Sequence, residues 1–193
     1  RDLHSFPTRR SSDLDIQGVM GKTMDVIADI LFAEFPEEKR RLLLKECCQV
    51  ENDYLREHGG ILYDQVPQTL AALKRDGYHL SIVSNCQKGY IEAFLDHYDL
   101  WELVEDMECY GNNLRQKGEN IRLVVERNRL DEAVYVGDIQ GDYDASRAAG
   151  VGFIHAAYGF GEIAEPVPEL KTFADLKTFD ISSASKTQSA WTM

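Results

Sequence analysis

Val134-Tyr135-Val136-Gly137-Asp138-Ile139-Gln140-Gly141-Asp142, with the small-residue run Ala145-Ser146-Arg147-Ala148-Ala149-Gly150 behind it, decides the fold. The apolar run begins at Ala133 and stops at Gly137 and Asp138. A run this short, bounded by glycine, is the pattern of a buried parallel strand. The residues from Ala145 to Ala149 can wind as the helix that follows it. Carboxylates at the carboxyl end of such a strand lie in the crevice where open α/β sheets take ligands. Asp138 and Asp142 repel each other there unless something positive lies between them, and a hard divalent cation, Mg2+, is the natural occupant. Taken alone, G-D-x-x-x-D is equally the pattern of a loop with solvated aspartates.

Outward from this block, strands and helices alternate. Pro67 opens a helix with Leu70 and Leu73 inward, closed by Gly77. Tyr78 to Val83 reads as a strand ending in Ser84-Asn85-Cys86, and a helix with Ile91, Phe94 and Leu95 on one face follows. Val104 to Tyr110 holds a short strand, and Lys117 to Asn128 a helix showing Ile121, Val124 and Val125. After the Ala145 helix, a strand runs through Gly152 to His155. Residues 156–170 form a Gly/Pro-rich loop, and Phe173 to Leu176 adds a last turn. Alternation of this kind predicts α/β architecture with a doubly wound parallel sheet.

Upstream, the signals are helical only. Thr23 is placed to cap a helix with Ile27, Ile30, Leu31 and Phe35 on one face. Pro36, Glu37 and Glu38 suit the start of a second helix, whose apolar face is expected at Leu43, Cys47, Val50 and Tyr54, and Gly59-Gly60 ends it. Residues 15–62 are therefore expected as a small helical unit that must bury its seam on the α/β core of residues 63–180. Residues 1–14 have no period, and the stretch resembles translated adapter sequence joined to a reading frame; it is set aside as a non-native or disordered leader. From Ser182 the composition is polar, and residues 181–193 are expected as a frayed tail.

The net charge of −12 excludes nucleic acid and anionic membrane as partners that need a basic surface. No apolar run approaches the ~20 residues of a membrane span. The four cysteines, Cys47, Cys48, Cys86 and Cys109, have neither C-x-x-C nor zinc spacing, and reduced thiols in a cytoplasmic protein is the simplest account.

In a parallel sheet all carboxyl ends share one edge, so Ser84, Lys117, Asp138 and Asp142 can meet. A serine hydroxyl with the backbone N–H groups behind it makes a phosphate cradle, a lysine at a helix start adds a point charge, and the aspartates bring the metal. Together these are the parts of a phosphoryl-transfer site. Each has an ordinary alternative: Ser84 as a helix cap, Lys117 as a solvated surface lysine, Asp142 as a helix N-cap. Gly159-Phe160-Gly161 is a G-x-G that comes late and lacks a helix pattern behind it, so a dinucleotide site is disfavoured and a loop near the site mouth expected.

With L-S-I-V-S-N-C, the lysine of R-Q-K-G-E-N-I and V-Y-V-G-D-I-Q-G-D in place, the chain resembles the haloacid dehalogenase (HAD) superfamily in its phosphoglycolate-phosphatase-like branch. G-V-M-G-K-T and L-Y-D-Q-V-P-Q-T-L look like the small helical cap of that branch and its return to the core. The resemblance implies a Rossmann-like HAD core and a Mg2+-dependent phosphomonoesterase that acts on a small phosphorylated metabolite through an aspartyl-phosphate. Carried over by position, Ser84 and the Asn85 backbone would hold phosphoryl oxygens, and Lys117 would neutralise charge on phosphate and nucleophile. Asp138 would ligate Mg2+, and Asp142 would ligate it through water or orient the site.

One element of the family pattern is absent from the sequence: an apolar strand ending in D-x-D-G-T, which supplies the nucleophile and the general acid/base. Asp13-Leu14-Asp15 follows Arg9-Arg10-Ser11-Ser12 and continues Ile-Gln, and unpaired arginines are too costly to bury in a central strand. The expectation is therefore a chain whose first core strand is missing, with a gap in the sheet and little or no activity as written. The alternative is a non-catalytic relative that binds a phosphorylated ligand or a protein.

Overall fold

The computed structural model describes residues 18–186. The expected leader, Asp13 and the last residues of the tail lie outside these. Two helices open the described chain, α1 (Met24–Leu31) and α2 (Glu37–His58). Glu37 and Glu38 occupy the first turn of α2 and Gly59, at φ +67°, ends it, a backbone conformation that only glycine adopts freely.

The packed face of α2 matches the one its apolar spacing predicts only at Leu43. Cys47, Val50 and Tyr54 are exposed; Asn52 is buried, and Leu43, Leu44, Cys48 and Leu55 are half-buried. The reason is polar. Asn52 is buried; its Nδ2 donates to the Lys88 carbonyl (2.9 Å) and its Oδ1 accepts from Gln87 Nε2 (3.0 Å). Satisfied hydrogen bonds in a low-dielectric contact fix an orientation that an undirected apolar stripe does not. Likewise on α1, Ala28 is buried while Ile30 is exposed.

The α/β part runs α3 (Val66–Arg75), β1 (Ser81–Ser84), α4 (Tyr90–Tyr98), β2 (Asp106–Cys109), α5 (Tyr110–Asn113) and α6 (Lys117–Arg127). It continues with β3 (Val134–Gly137), α7 (Gln140–Ala149), β4 (Gly152–Ala156), β5 (Glu169–Leu170), a 3-10 turn (Phe173–Lys177) and α8 (Ile181–Lys186). Strands and helices alternate as the sequence predicts. Several details differ, among them β5, which lies inside the stretch 156–170 expected as a loop, and α5, which the sequence does not announce. β1 begins at Ser81 rather than Tyr78, α7 begins at Gln140 and takes Asp142 into its first turn, and the expected fraying at Ser182 is replaced by α8, which buries Ala184 in the core.

Every strand pairing is parallel. Ser84 stands opposite Cys109, Gly137 opposite His155 and Ala156 opposite Leu170. The strands form two sheets, β1-β2 and β3-β4-β5. Among the described residues no backbone hydrogen bond joins β1 to β3. Instead the Tyr135 hydroxyl reaches across and donates to the Val83 carbonyl at 2.8 Å. The core divides in the same way. One cluster gathers Ile91, Leu95, Leu100, Val104 and Cys109 beside β1-β2. The other gathers Leu73, Ile154, Leu170, Leu176 and Ala184 beside β3-β4-β5. Between them lies a cavity of about 920 Å3, with Ile82, Val83, Val124, Val134, Val136 and Ile154 on its walls. No helix of the described residues is long and apolar enough to cross a membrane.

Candidate functional site

The residues that follow β1 and β3 share one rim. Asn85 Nδ2 donates to the Gly21 carbonyl (2.8 Å), and the Ile139 side chain lies against the same Gly21. The segment before α1 is thus fixed to the carboxyl ends of both sheets. Asn85, Lys117 and Gly141 line one cleft of about 630 Å3, together with Gly21, Lys22 and Thr23. Ser84 ends β1 beside it, and its Oγ accepts the Cys86 N–H at 3.2 Å, which shapes the turn after the strand.

Lys117 is the first residue of α6, where the positive end of the helix reinforces its charge. The Gln116 N–H donates to Glu119 Oε2 (3.1 Å) and holds that turn. A close approach of α6 to α7 aims the lysine: a Cβ on Gly118 would stand 2.9 Å from the Ala145 carbonyl oxygen, so a larger residue would separate the helices. Lys117 Nζ then meets Asp142 Oδ1 at 2.5 Å and lies 5.9 Å from the centre of the Tyr135 ring. Asp142 Oδ2 accepts the Asp138 N–H at 3.1 Å, so both its oxygens are engaged. Asp142 therefore orients the lysine and the turn after β3. Asp138 Oδ2 accepts the Phe160 N–H at 2.8 Å. Gly159 permits that contact, since a Cβ there would lie 2.3 Å from the Asp138 Cβ. Burial, followed by the charges of Asp142 and Asp138, pushes the Tyr135 phenol well above its ordinary value, so it stays a neutral donor to Val83.

Asn85, Lys117, Asp138 and Asp142 are thus joined through a cleft and a chain of hydrogen bonds, with Ser84 at its border. The Gly159–Gly161 loop closes directly on Asp138, as its expected place near the mouth anticipates. Sequence reasoning missed the contributions of Gly21, Tyr135 and Asn52. For Tyr135 a signal existed, since a phenol inside an apolar strand requires a polar partner. Among the described residues no group of three His, Cys, Asp or Glu side chains gathers as a metal cage. The donor chemistry nonetheless suits Mg2+, which binds through one or two carboxylates and completes its shell with water and phosphate oxygens.

A family model described as haloacid dehalogenase-like hydrolase matches residues 3–156. The phosphoglycolate phosphatase of Salmonella typhimurium is 26% identical over 153 residues, covering 74% of this chain and 60% of that protein. That of Escherichia coli strain K12 is 25% identical over 132 residues, covering 66% of this chain and 52% of that protein. The chain thus spans 60% or less of the length of these curated relatives. Among solved structures, a predicted phosphoglycolate phosphatase from Haemophilus somnus aligns with TM-score 0.72 at 23% identity, covering 86% of this chain and 82% of that one. CbbY from Rhodobacter sphaeroides, solved in complex with phosphate, aligns with TM-score 0.59 at 20% identity, covering 69% of this chain and 65% of that one. At these identities the structural likeness establishes the fold alone.

Proposed function

The chain belongs to the haloacid dehalogenase-like hydrolases, and from that premise we propose that its site serves Mg2+-dependent hydrolysis of a small phosphomonoester in the cytoplasm. The observation that carries this reading is the linked set Asn85, Lys117, Asp142 and Asp138 on the rim where β1 and β3 end. Ser84 and the amides after it hold phosphoryl oxygens. Lys117, aimed by Asp142, offsets their charge. Asp138 would hold Mg2+, which supplies charge neutralisation at the phosphate oxygens. The 25–26% identical phosphoglycolate phosphatases support a small phosphorylated acid as substrate class.

In this reading a carboxylate attacks phosphorus, an aspartyl-phosphate forms, and water hydrolyses it. Asp142 is committed to Lys117 and to the Asp138 N–H, so neither oxygen is available for that attack. On this reading the attacking aspartate belongs to a D-x-D-G-T strand that the sequence as written lacks, and the chain as written has little or no turnover. Engagement of both Asp142 oxygens equally favours a second reading, a domain that binds a phosphorylated ligand without hydrolysing it.

Calorimetric titration of inorganic phosphate with Mg2+ tests the shared part: saturable binding is expected, lost in Lys117→Met and no longer Mg2+-dependent in Asp138→Asn. An N-terminal extension by an apolar strand ending in D-x-D-G-T tests the catalytic part, with hydrolysis of 4-nitrophenyl phosphate expected. Absence of turnover in a folded, phosphate-binding extended chain leaves the binding-domain reading.

A further inference from the structure

We propose that Cys86 and Cys109 are a paired-thiol site for two-electron oxidation by a peroxide, which closes a disulfide between them and shifts the turn that follows β1. The pair is built by β1 and β2. Cys109 ends β2 opposite Ser84, and Cys86 is the second residue beyond Ser84. Past the strand ends the two segments stay in contact, since the Gly111 N–H donates to the Cys86 carbonyl at 3.0 Å. A Cβ on Gly111 would stand 2.1 Å from the Lys88 nitrogen and 2.7 Å from the Gln87 Cα, so the two backbones touch there. Cys109 Sγ reaches over to the same turn and donates to the Gln87 carbonyl at 3.7 Å, and Cys86 packs against the cluster that contains Cys109. In that contact the two sulfurs hydrogen-bond each other.

Ionisation separates this pair from Cys47 and Cys48. Those neighbours on α2 are both pushed up, Cys48 to about 11, first by burial and then by nearby charge. Cys109 is held below its ordinary value, first by the hydrogen bond with Cys86, and Cys86 is pushed up because that shared proton stays on it. Loss of one proton therefore belongs to the pair and leaves the other proton between the sulfurs. A thiolate is the form that peroxide oxidises. Cys86 is half-buried and Cys109 buried, so peroxide meets the pair from the Cys86 side.

The step balances. The ionised Cys86 sulfur forms an S–O bond as the peroxide O–O bond breaks, and the hydroxide that leaves takes up the proton the thiol lost. The Cys109 sulfur then attacks the sulfenic sulfur; the S–S bond forms, the S–O bond breaks, and a second water leaves with the Cys109 proton. The pair gives two electrons, and peroxide becomes two waters. Closure draws the sulfurs from hydrogen-bond contact to about 2.05 Å. It removes the Cys109 bond to the Gln87 carbonyl and pulls on Cys86, whose N–H is held by Ser84 Oγ. The same turn carries Gln87, bonded to Asn52 of α2, and Asn85, bonded to the Gly21 carbonyl. Formation of the bond stands on the sulfur geometry; its effect on phosphate rests on the function proposed above.

Hydrogen peroxide in small excess, applied to the full reduced chain and followed by blocking of free thiols and peptide mapping, tests the proposal. A Cys86–Cys109 cross-link with the loss of two hydrogens, reversed by dithiothreitol, is expected. Hydrogen exchange should change on oxidation at residues 84–88 and 109–111. Calorimetric affinity for inorganic phosphate with Mg2+ should fall by about tenfold in the oxidised chain, the scale of one lost hydrogen bond to a charged group. In Cys86→Ala, the affinity before and after peroxide should be equal. A cross-link confined to Cys47 and Cys48, with Cys86 and Cys109 still free to alkylate, overturns the proposal. So does a Cys86–Cys109 cross-link that leaves exchange at both segments unchanged. Equal phosphate affinity of the reduced and oxidised chains overturns the coupling to the site. A reduced chain that takes no phosphate counts against the phosphatase reading instead, and the cross-link and the exchange then decide the proposal.

Discussion

Lys117 Nζ lies 2.5 Å from Asp142 Oδ1, and their side chains are only 12% and 6% exposed. The pair joins the start of α6 to the first turn of α7, two elements whose sequences are 25 residues apart at the contact. Each charge was taken out of water at a cost that the other largely offsets, so removing one leaves the second without its counter-charge.

Lys117→Met should therefore destabilise the fold by about 3 kcal/mol, the lower part of the range for breaking a buried pair. In Lys117→Met/Asp142→Asn no unpaired charge remains, and the amide oxygen still accepts the Asp138 N–H. The double variant should be more stable than the sum of the singles predicts, by about 1–3 kcal/mol. Urea denaturation of the four proteins measures it, and simple additivity would show that the contact carries no coupling.

Two glycines near the rim should respond in opposite directions to alanine. At Gly159 the new Cβ would stand 2.3 Å from the Asp138 Cβ and 2.5 Å from its Oδ2. Gly159→Ala must push Asp138 or the Phe160 amide aside, with an expected loss of about 1–3 kcal/mol and weaker Mg2+-dependent phosphate binding. At Gly141, inside α7, the nearest atom is 3.7 Å away. Gly141→Ala should be neutral or stabilising by up to about 1 kcal/mol, since it only reduces the freedom of the unfolded chain. A stability loss at both positions would mean that crowding at Asp138 is not what distinguishes them.

Much of the fold was legible because the α/β part follows period and punctuation. Val134 to Gly137 and Ser81 to Ser84 are short apolar runs ended by glycine or serine, and the sequence places both within three residues of their observed bounds. That Lys117, Asp138 and Asp142 come together was legible in the same way, since strand ends and a helix start are local signals. The face of α2 was not. Its sequence offers an apolar set at Leu43, Cys47, Val50 and Tyr54, but orientation is set by Asn52, whose partners Gln87 and Lys88 are more than 30 residues distant. α8 was missed for a related reason. Its polar composition hides Ala184, and only the β4 core makes burying that residue worthwhile.

Asn52 supplies the test of that explanation. Asn52→Leu keeps the size of the side chain and adds apolar surface, yet it leaves the Lys88 carbonyl and the Gln87 amide without these partners. Gln87 Nε2 retains its bond to Glu51 Oε2 (2.9 Å), so the loss should stay moderate, about 1–3 kcal/mol. Val50→Asn, on the face that apolar spacing favours, should change stability by no more than about 0.5 kcal/mol, because Val50 is 68% exposed. Thermal melts of the two variants decide between the faces, and the reverse ranking would return the seam to Val50.

Arg127 gives a pH dependence whose sign can be fixed in advance. Its Nε donates to Asp106 Oδ2 at 2.6 Å, its Nη1 to Glu108 Oε2 at 2.9 Å and its Nη2 to the Met107 carbonyl at 2.7 Å, so one side chain at the end of α6 clamps β2. Burial pushes both carboxyls up, but the bonds outweigh it. Arg127 and Asn128 hold Asp106 below its ordinary 3.8, and Asn112 and Arg127 hold Glu108 below its ordinary 4.5. A carboxyl whose folded value is depressed contributes stability that is complete above its unfolded value and is lost as pH falls through the folded one. The guanidinium is about one third exposed, so solvent screens part of the attraction and a loss of about 1–2 kcal/mol is expected for Arg127→Met near neutral pH. The gap between the native and variant proteins should stay level from about pH 8 to about pH 5.5, where both carboxyls are ionised in either state. It should narrow below about pH 4.5 as they protonate. Denaturation midpoints at stepped pH measure it; a gap that stays level on acidification would mean that Arg127 holds β2 by packing and not by charge.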